Sequence, residues 1–342
     1  MASLSSQGFF MPAEWHPHQC CWMGWPCRTN TWGDRMEQAK QSYAEVAQTI
    51  NQFEQVKMAC TPASVVEAKK MCGPDVKIIP LPMDDSWTRD SGPTFIIDRK
   101  GKIAGIDWEF NQWGADYPDC EDDADFAQAL LNHAGIEQFK ASFVLEGGSI
   151  HVDGDGTLIT TEQCLLHPNR NPGLDQEEIE QLLREFLNVH SILWLGQGLM
   201  DDETDGHVDN LACFIKPGAV LALISNDPDD ENYEVLQDNL LRLKYAKDAR
   251  DRKLEIVTVE QPQAKWKEEE RLAQSYINFY LPNNGLVMPS FNDPERDEQA
   301  LATFEKIFPS RKIIQLDAQE IVLGGGGIHC ITQQQPQTIY TG

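Results

Sequence analysis

The sequence predicts an α/β fold in which one strand-and-helix unit recurs about five times within a single domain covering residues 1–342. Short apolar strands, each running into an acidic or glycine-rich turn and a second apolar strand, begin near residues 78, 143, 192, 255 and 312, at intervals of 49 to 65 residues. Amphipathic helical patterns lie between them, which excludes an all-β propeller, because blades of that kind carry no helices. No Ser-, Gly- or Pro-rich linker divides the chain into halves.

After an N-terminal segment rich in Trp, Pro and Cys (residues 11–30), Met36, Ala39, Tyr43, Val46, Ile50 and Phe53 recur at three-to-four spacing and predict an amphipathic helix. Residues 63–71 predict a second. The strand pairs then follow as 76–81 with 92–101, 143–146 with 149–156, 192–196 with 206–218, 254–260 with 276–285, and 312–317 with 327–332. Between them residues 122–133 predict a helix, and Ile179, Leu182, Leu183, Phe186 and Leu187 form an i, i+3, i+4, i+7, i+8 stripe. Residues 231–247 predict another, and Pro294 opens one that carries Leu301, Phe304, Ile307 and Phe308. The charged run 265–271 reads as a solvated loop or short helix.

The 28 basic and 54 acidic residues give a formal net charge of -26. Such a field repels phosphate backbones and anionic membrane surfaces, so nucleic acid and membranes are not expected as partners, whereas a small cationic ligand is. A content of 41% hydrophobic residues supplies a core for a soluble globular protein. No run approaches the roughly 18 apolar residues that span a bilayer, and the first ten residues lack the basic-then-apolar pattern of an export signal. Nine cysteines at irregular spacing, with Cys20 and Cys21 adjacent and no paired C-x-x-C set, fit reduced thiols in the cytoplasm. No cofactor or metal is expected, and a homo-oligomer is allowed.

If the units are related by rotation, the residues at the start of each second strand converge on the axis. The first unit offers Asp84, Asp85, Trp87, Arg89 and Asp90, and the second Glu146 ahead of Gly147 and Gly148. The third offers His207 and Asp209, which share a face if they lie on a strand. The fifth offers His329 and Cys330, after the four glycines of LGGGGIHCITQQQP, whose missing Cβ atoms let the backbone approach a ligand. The fourth, with Tyr276 and Asn278, is comparatively mute.

A free Cys is commonly a buried small hydrophobe and a lone His commonly structural. At matching places of a repeat they suggest instead a nucleophile, an acid/base and several carboxylates around one pocket. Cys330 is then the nucleophile, His207 the proton carrier, and Glu146 the group that orients or polarises. Asp90 and Asp209 are surplus for an acyl substrate and suit a guanidinium, whose planar fork of N–H donors carboxylates match. Trp87, with Trp25 and Trp32, is a candidate wall, and Arg89 either pairs with Asp90 or meets a substrate carboxylate. Two other readings stay open. One is a metallohydrolase built on His151-Val-Asp153 and His207-Val-Asp209, which no H-E-x-x-H or H-x-H set accompanies. The other is a non-catalytic binding protein whose polar hairpin residues are turn chemistry.

The stretches MPAEWHPHQCCWMGWP, DDSWTRDSGPTF, LEGGSIHVDGDGT, TDGHVDNLACF, SYINFYLPNNG and GGGGIHCITQQQP resemble the agmatine deiminases, in that family's order and over nearly the whole chain. The resemblance implies the pentein fold of the guanidine-modifying superfamily, a five-bladed α/β propeller with pseudo-five-fold internal symmetry. It implies hydrolysis of agmatine to N-carbamoylputrescine and ammonia through a covalent cysteine amidino (thiouronium) intermediate, a step in putrescine and polyamine biosynthesis. A peptidylarginine deiminase-like or other guanidine hydrolase is the alternative. By the same resemblance Cys330 corresponds to the nucleophile, His207 and Glu146 to its acid/base partners, and Asp90 and Asp209 to the guanidinium-holding carboxylates. One departure is the stretch 261–274, shorter than its counterpart in several relatives.

Overall fold

A computed structural model describes residues 3–114 and 120–338. In chain order the strands are β1 (Phe9–Phe10), β2 (His18–Gly24), β3 (Val56–Cys60), β4 (Lys77–Pro80), β5 (Thr94–Asp98), β6 (Ile103–Glu109) and β7 (Glu137–Val144). They continue as β8 (His151–Val152), β9 (Thr157–Thr161), β10 (Ser191–Leu195), β11 (Ala212–Lys216), β12 (Ala219–Ile224) and β13 (Glu255–Glu260). The last are β14 (Trp266–Lys267), β15 (Glu270–Arg271), β16 (Gly285–Ser290), β17 (Lys312–Asp317) and β18 (Gln333–Pro336). The longer helices are α1 (Met36–Ile50), α2 (Val65–Cys72), α3 (Phe126–Ala134), α4 (Gln176–Leu187), α5 (Tyr233–Tyr245) and α6 (Pro294–Ile307).

Five sheets share one plan: an antiparallel inner pair, then a helix that returns the chain to a parallel outer strand. Antiparallel neighbours need only a tight turn, whereas parallel ones need such a crossover. The plan appears in β5–β6 with β7 across α3, β8–β9 with β10 across α4, and β11–β12 with β13 across α5. It appears again in the bridge from Tyr280 to β16, with β17 across α6. The remaining sheet is assembled from both ends of the chain. There β18 pairs antiparallel with β2, and β3 and β4 follow in parallel across α1 and α2. That pairing closes the five sheets into the pseudo-five-fold propeller of the pentein fold.

The expected strand pairs carry the right period but the wrong phase. Residues 76–81 and 92–101 do not share a sheet: β4 pairs with β3, and β5 opens the next sheet. A period looks the same wherever it is cut, and only the helix between parallel strands marks the true boundary. Residues 327–332 form turns rather than a strand, and the strand that follows is the polar β18. The charged run expected as a loop or short helix holds the two-residue strands β14 and β15 in an antiparallel hairpin.

The helical stripes found in the sequence are the buried faces. In α4, Ile179, Leu183 and Leu187 are buried, with Leu182 and Phe186 packed beside them. Its start is fixed by a capping box, in which Asp175 accepts from the Glu178 N–H (2.9 Å) and Glu178 accepts from the Asp175 N–H (2.9 Å). Three apolar clusters fill the spaces between sheets: one packs β2, β3, β12 and β16, a second β6, β7 and β9, and a third links Trp22 and Phe95 with α3. Among the described residues no helix is long and apolar enough to cross a membrane.

Candidate active site

Each candidate residue lies in a loop that leaves the outer strand of one sheet for the inner strand of the next. Trp87 and Asp90 lie between β4 and β5, Glu146 between β7 and β8, and His207 and Asp209 between β10 and β11. Asn278 follows β13, and His329 and Cys330 precede β18. The turns Thr88–Ser91, Gly147–Ser149 and Val208–Asn210 touch one another in series. His207 and Asp209 are therefore not on a strand as expected; Asp209 sits in a 3-10 turn that His207 immediately precedes. Asp90, Glu146, His207, Asp209 and Cys330 are all buried.

Cys330 occupies a turn held from three sides. Its carbonyl accepts from the Arg89 N–H (3.1 Å), and the Asn278 side chain accepts from the backbone N–H of His329 (2.8 Å) and donates to Cys330 Sγ (3.2 Å). The thiol in turn faces Asp209 Oδ2 at 3.6 Å. The glycine run makes this approach possible. Gly325 takes a φ of 109°, and a Cβ on Gly326 would lie 2.5 Å from the Trp87 ring and 3.1 Å from Cys330 Cβ.

The His207 ring lies between two carboxylates, with Nδ1 3.8 Å from Asp90 Oδ1 and Nε2 3.7 Å from Glu146 Oε2. These are ion-pair rather than hydrogen-bond distances, and both ring nitrogens lack hydrogen-bond partners. Arg170 Nε donates to Glu146 Oε1 (2.7 Å), while the Gly148 N–H and Trp113 Nε1 donate to the two oxygens of Asp90 (2.9 and 3.0 Å). A Cβ on Gly148 would come within 2.5 Å of His207 Nδ1, 2.9 Å of Asp90 Oδ1 and 3.0 Å of Asp209 Oδ2, so no other residue fits at that point.

Cys330 and Asp90 line a cavity of about 230 Å³ with Trp87, Trp113 and Phe110, whereas Glu146, His207 and Asp209 are buried outside its lining. Trp87 is one of the lining residues: its Nε1 donates to Asp85 Oδ2 (3.2 Å), and Trp32 stacks on it at 5.7 Å. Trp25 does not reach the cavity and donates to Glu67 (3.2 Å). Arg89 is not a lining residue either; its Nε donates to the His329 carbonyl (3.4 Å). Asp85, Asp123 and Glu203 line the outer part of the cavity, with Lys267 of the β14–β15 hairpin.

Burial pushes the Cys330 thiol well above its ordinary pKa, and Asp209 and Asp90 add to the rise. Burial alone would lower the pKa of His207, but Asp90, Cys164 and Glu146 outweigh it and hold the ring well above the usual histidine range. Burial raises Glu146 and Asp209, yet His207 and Arg170 bring the first below the usual carboxylate range and His329 does the same for the second. Asp90 stays raised, because burial exceeds what His207 offsets. The resting combination is thus a neutral thiol facing Asp209, with an imidazolium held between Asp90 and Glu146. Such a set can bind a planar cation, expose it to a sulfur nucleophile once the thiol ionises, and supply a proton.

Among the described residues, Glu146, Cys164 and His207 form a donor group compact enough to hold a metal ion, with ligand atoms within 4.8 Å of one another. Arg170 places a positive charge on the same carboxylate, which opposes a second cation there. The other H-x-D pair is occupied by structural bonds. His151 Nδ1 accepts from the Phe214 N–H (3.2 Å), and Asp153 Oδ1 accepts from the N–H groups of Asp155 and Thr157 (both 2.8 Å).

The structure brings Cys330, His207, Glu146, Asp90, Asp209 and Trp87 together, and adds neighbours that sequence reasoning missed. Asn278 in the fourth unit is not mute but bonded to the thiol. Its place in the repeat was the available signal. Arg170, Trp113 and Cys164 carry no such signal, because each lies outside the repeat's matching positions and reaches the site only through tertiary packing.

Fold and site together define a guanidine-modifying type of α/β propeller, with one thiol set among carboxylates at its centre. The sequence matches the Porphyromonas-type peptidyl-arginine deiminase family over residues 10–336, and the chain belongs to that family. It is 43% identical over 355 aligned residues to the agmatine deiminase of Pseudomonas aeruginosa, covering 97% of this chain and 96% of that one. It is 40% identical to the agmatine deiminase of Medicago truncatula, covering 96% of each. The structure of the Enterococcus faecalis agmatine deiminase superimposes with a TM-score of 0.95 over 99% of both chains, at 36% identity.

Proposed function

We propose that this protein, as one domain spanning residues 1–342, hydrolyses agmatine to N-carbamoylputrescine and ammonia, a step leading toward putrescine. The observation that carries the reading is Cys330, which lines one cavity with Asp90, facing Asp209 at 3.6 Å, while His207 lies 3.8 Å from Asp90 and 3.7 Å from Glu146. Relatives of this family that bear the name agmatine deiminase supply the identity of the amine.

Asp90 and Asp209 hold the guanidinium plane, and the bound cation offsets the carboxylates that keep the thiol neutral, so that the thiol releases its proton to solvent as substrate binds. The Cys330 sulfur adds to the guanidinium carbon. His207 protonates a terminal nitrogen, which leaves as ammonia, and an S-linked alkylamidino (thiouronium) adduct remains. His207 then takes a proton from water as it attacks the same carbon, and collapse of the tetrahedral adduct expels the thiolate and releases the carbamoyl amine. Glu146, fixed by Arg170, keeps the His207 ring in position. Trp87 walls the cavity, and Asp85, Asp123 and Glu203 face the substrate's ammonium end. Burial raises Asp123 to about 7, so an ammonium there favours its ionised form.

Intact mass after brief mixing with agmatine tests the reading. An adduct of agmatine less ammonia is expected on the wild-type chain and none on Cys330→Ser, and undiminished turnover by that variant overturns the mechanism. Agmatine, free arginine and an arginine-containing peptide compared as substrates decide between this reading and a peptidylarginine deiminase.

A further inference from the structure

The N-terminal motif MPAEWHPHQCCWMGWP and His329 have no part in the reaction just described, yet both reach the centre of the propeller. Glu14 Oε2 lies 3.1 Å from His329 Nε2, and His329 Nδ1 lies 2.8 Å from Asp209 Oδ2, the same oxygen that faces Cys330 Sγ at 3.6 Å. All four residues are buried. Glu14 is anchored in turn: its Oε1 accepts from the Leu281 N–H (3.3 Å), and His151 Nε2 lies 3.5 Å from its Oε2. From the neighbouring turn, Arg89 donates to the His329 carbonyl, and Asn278 accepts from the His329 N–H. The charged and titratable groups facing His329 are therefore Glu14, Asp209, Arg89, Cys330 and, beyond Glu14, His151.

An imidazole placed between two carboxylates keeps both ring N–H groups and carries a positive charge. One oxygen of Asp209 is then engaged, while its Oδ1 is buried without any partner. A buried carboxylate oxygen left open is costly unless a donor arrives to meet it.

We propose that Glu14 and His329 are positioning residues for guanidinium hydrolysis: Glu14 holds His329, and His329 holds Asp209 so that Oδ1 is presented to the substrate and the charge beside Cys330 is partly balanced. This rests on the assignment of Asp209 to the guanidinium. It gives the N-terminal motif a reason to cross to the centre of a site built otherwise from the five loops. The direction of two ionisations agrees with it. Burial and Arg89 depress His329, but Glu14 and Asp209 raise it above the usual range, and Glu14 itself is held well below the usual carboxylate range, chiefly by His329 against the effect of burial.

The test is the pH dependence of agmatine turnover in Glu14→Gln, His329→Asn and His329→Gln, with thermal unfolding of each. Removing the Glu14 charge lets His329 lose its proton at lower pH, so Asp209 loses its cationic neighbour and ionises less readily. The acid limb of kcat/KM should move to higher pH, and KM should rise about tenfold or more, the effect of a lost hydrogen bond to a charged group, with kcat changed less. An Asn amide nitrogen stands where Nδ1 stood and still donates to Asp209, whereas Gln reaches toward Glu14 and leaves Asp209 unbonded. His329→Asn should therefore retain more activity than His329→Gln. Equal losses in the two His329 variants, or an unmoved acid limb in Glu14→Gln, would show a merely structural bridge and overturn the proposal. If Glu14→Gln does not fold, the pair of His329 variants decides. Absence of turnover in the wild type would instead remove the functional reading, which separates the two failures.

Discussion

Cys330 is the proposed nucleophile, and its surroundings favour the thiol. Burial first, then Asp209 and Asp90, hold its pKa well above the ordinary value. In the free protein, alkylation of Cys330 by iodoacetamide should be slow at neutral pH and rise about tenfold per pH unit in the alkaline range as thiolate forms. Peptide mass analysis across a pH series checks this; rapid alkylation at neutral pH would mean a resting thiolate. At this scale much was legible, because Asp90, Glu146, His207, Asp209 and Cys330 are polar residues at matching places in a repeat, where a core would use apolar ones. Glu14 and Arg170 were not, since each acquires its chemistry from a partner distant in sequence. Arg170 reaches Glu146 from a loop after β9 with no pattern of its own, and only the fold places the two 2.7 Å apart. Arg89 shows the converse: beside Asp90 in sequence, it bonds the His329 carbonyl instead.

The short turn Gly147–Ser149 positions three functional side chains by having none of its own at Gly148. A methyl group there meets His207, Asp90 and Asp209 at once, and none of them is free to retreat in so packed a place. Gly148→Ala should lower kcat by about a hundredfold, as expected for reacting groups displaced by an ångström, and should cost about 1–3 kcal/mol of stability from overpacking. Steady-state kinetics beside a denaturant melt check both. Amphipathic helices such as α4 were legible because their apolar period is 3.6 and their caps are explicit. The strand β18 was not, because its sequence QQQP reads as polar turn. It is buried nonetheless, and some of its amide groups find partners, although Gln333 Oε1 and Gln334 Oε1 do not. Gln335 accepts from Trp22 Nε1 (2.9 Å) and donates to Gln19 (2.8 Å), and Gln333 donates to the Pro93 carbonyl (2.8 Å). Its burial goes with hydrogen bonding rather than with hydrophobic alternation.

At the scale of the whole molecule, the period of the repeat was visible and its phase was not. The sheet that resolves the phase is the one built from both ends of the chain, which no local window could reveal. Ending the chain after Thr332 would strip β2 of its antiparallel partner and leave an open edge beside Trp22 and Cys20. Such a truncation should lose its cooperative thermal transition and aggregate, as followed by light scattering during a melt. The β18–β2 pairing has a further implication for the site. Cys330 stands only three residues before that strand, so its turn is anchored by a clasp between segments separated by some 300 residues of sequence. A chain without β18 lacks the antiparallel partner of β2 and the anchor of the Cys330 turn at once. The proposed nucleophile and the closure of the ring therefore stand or fall together.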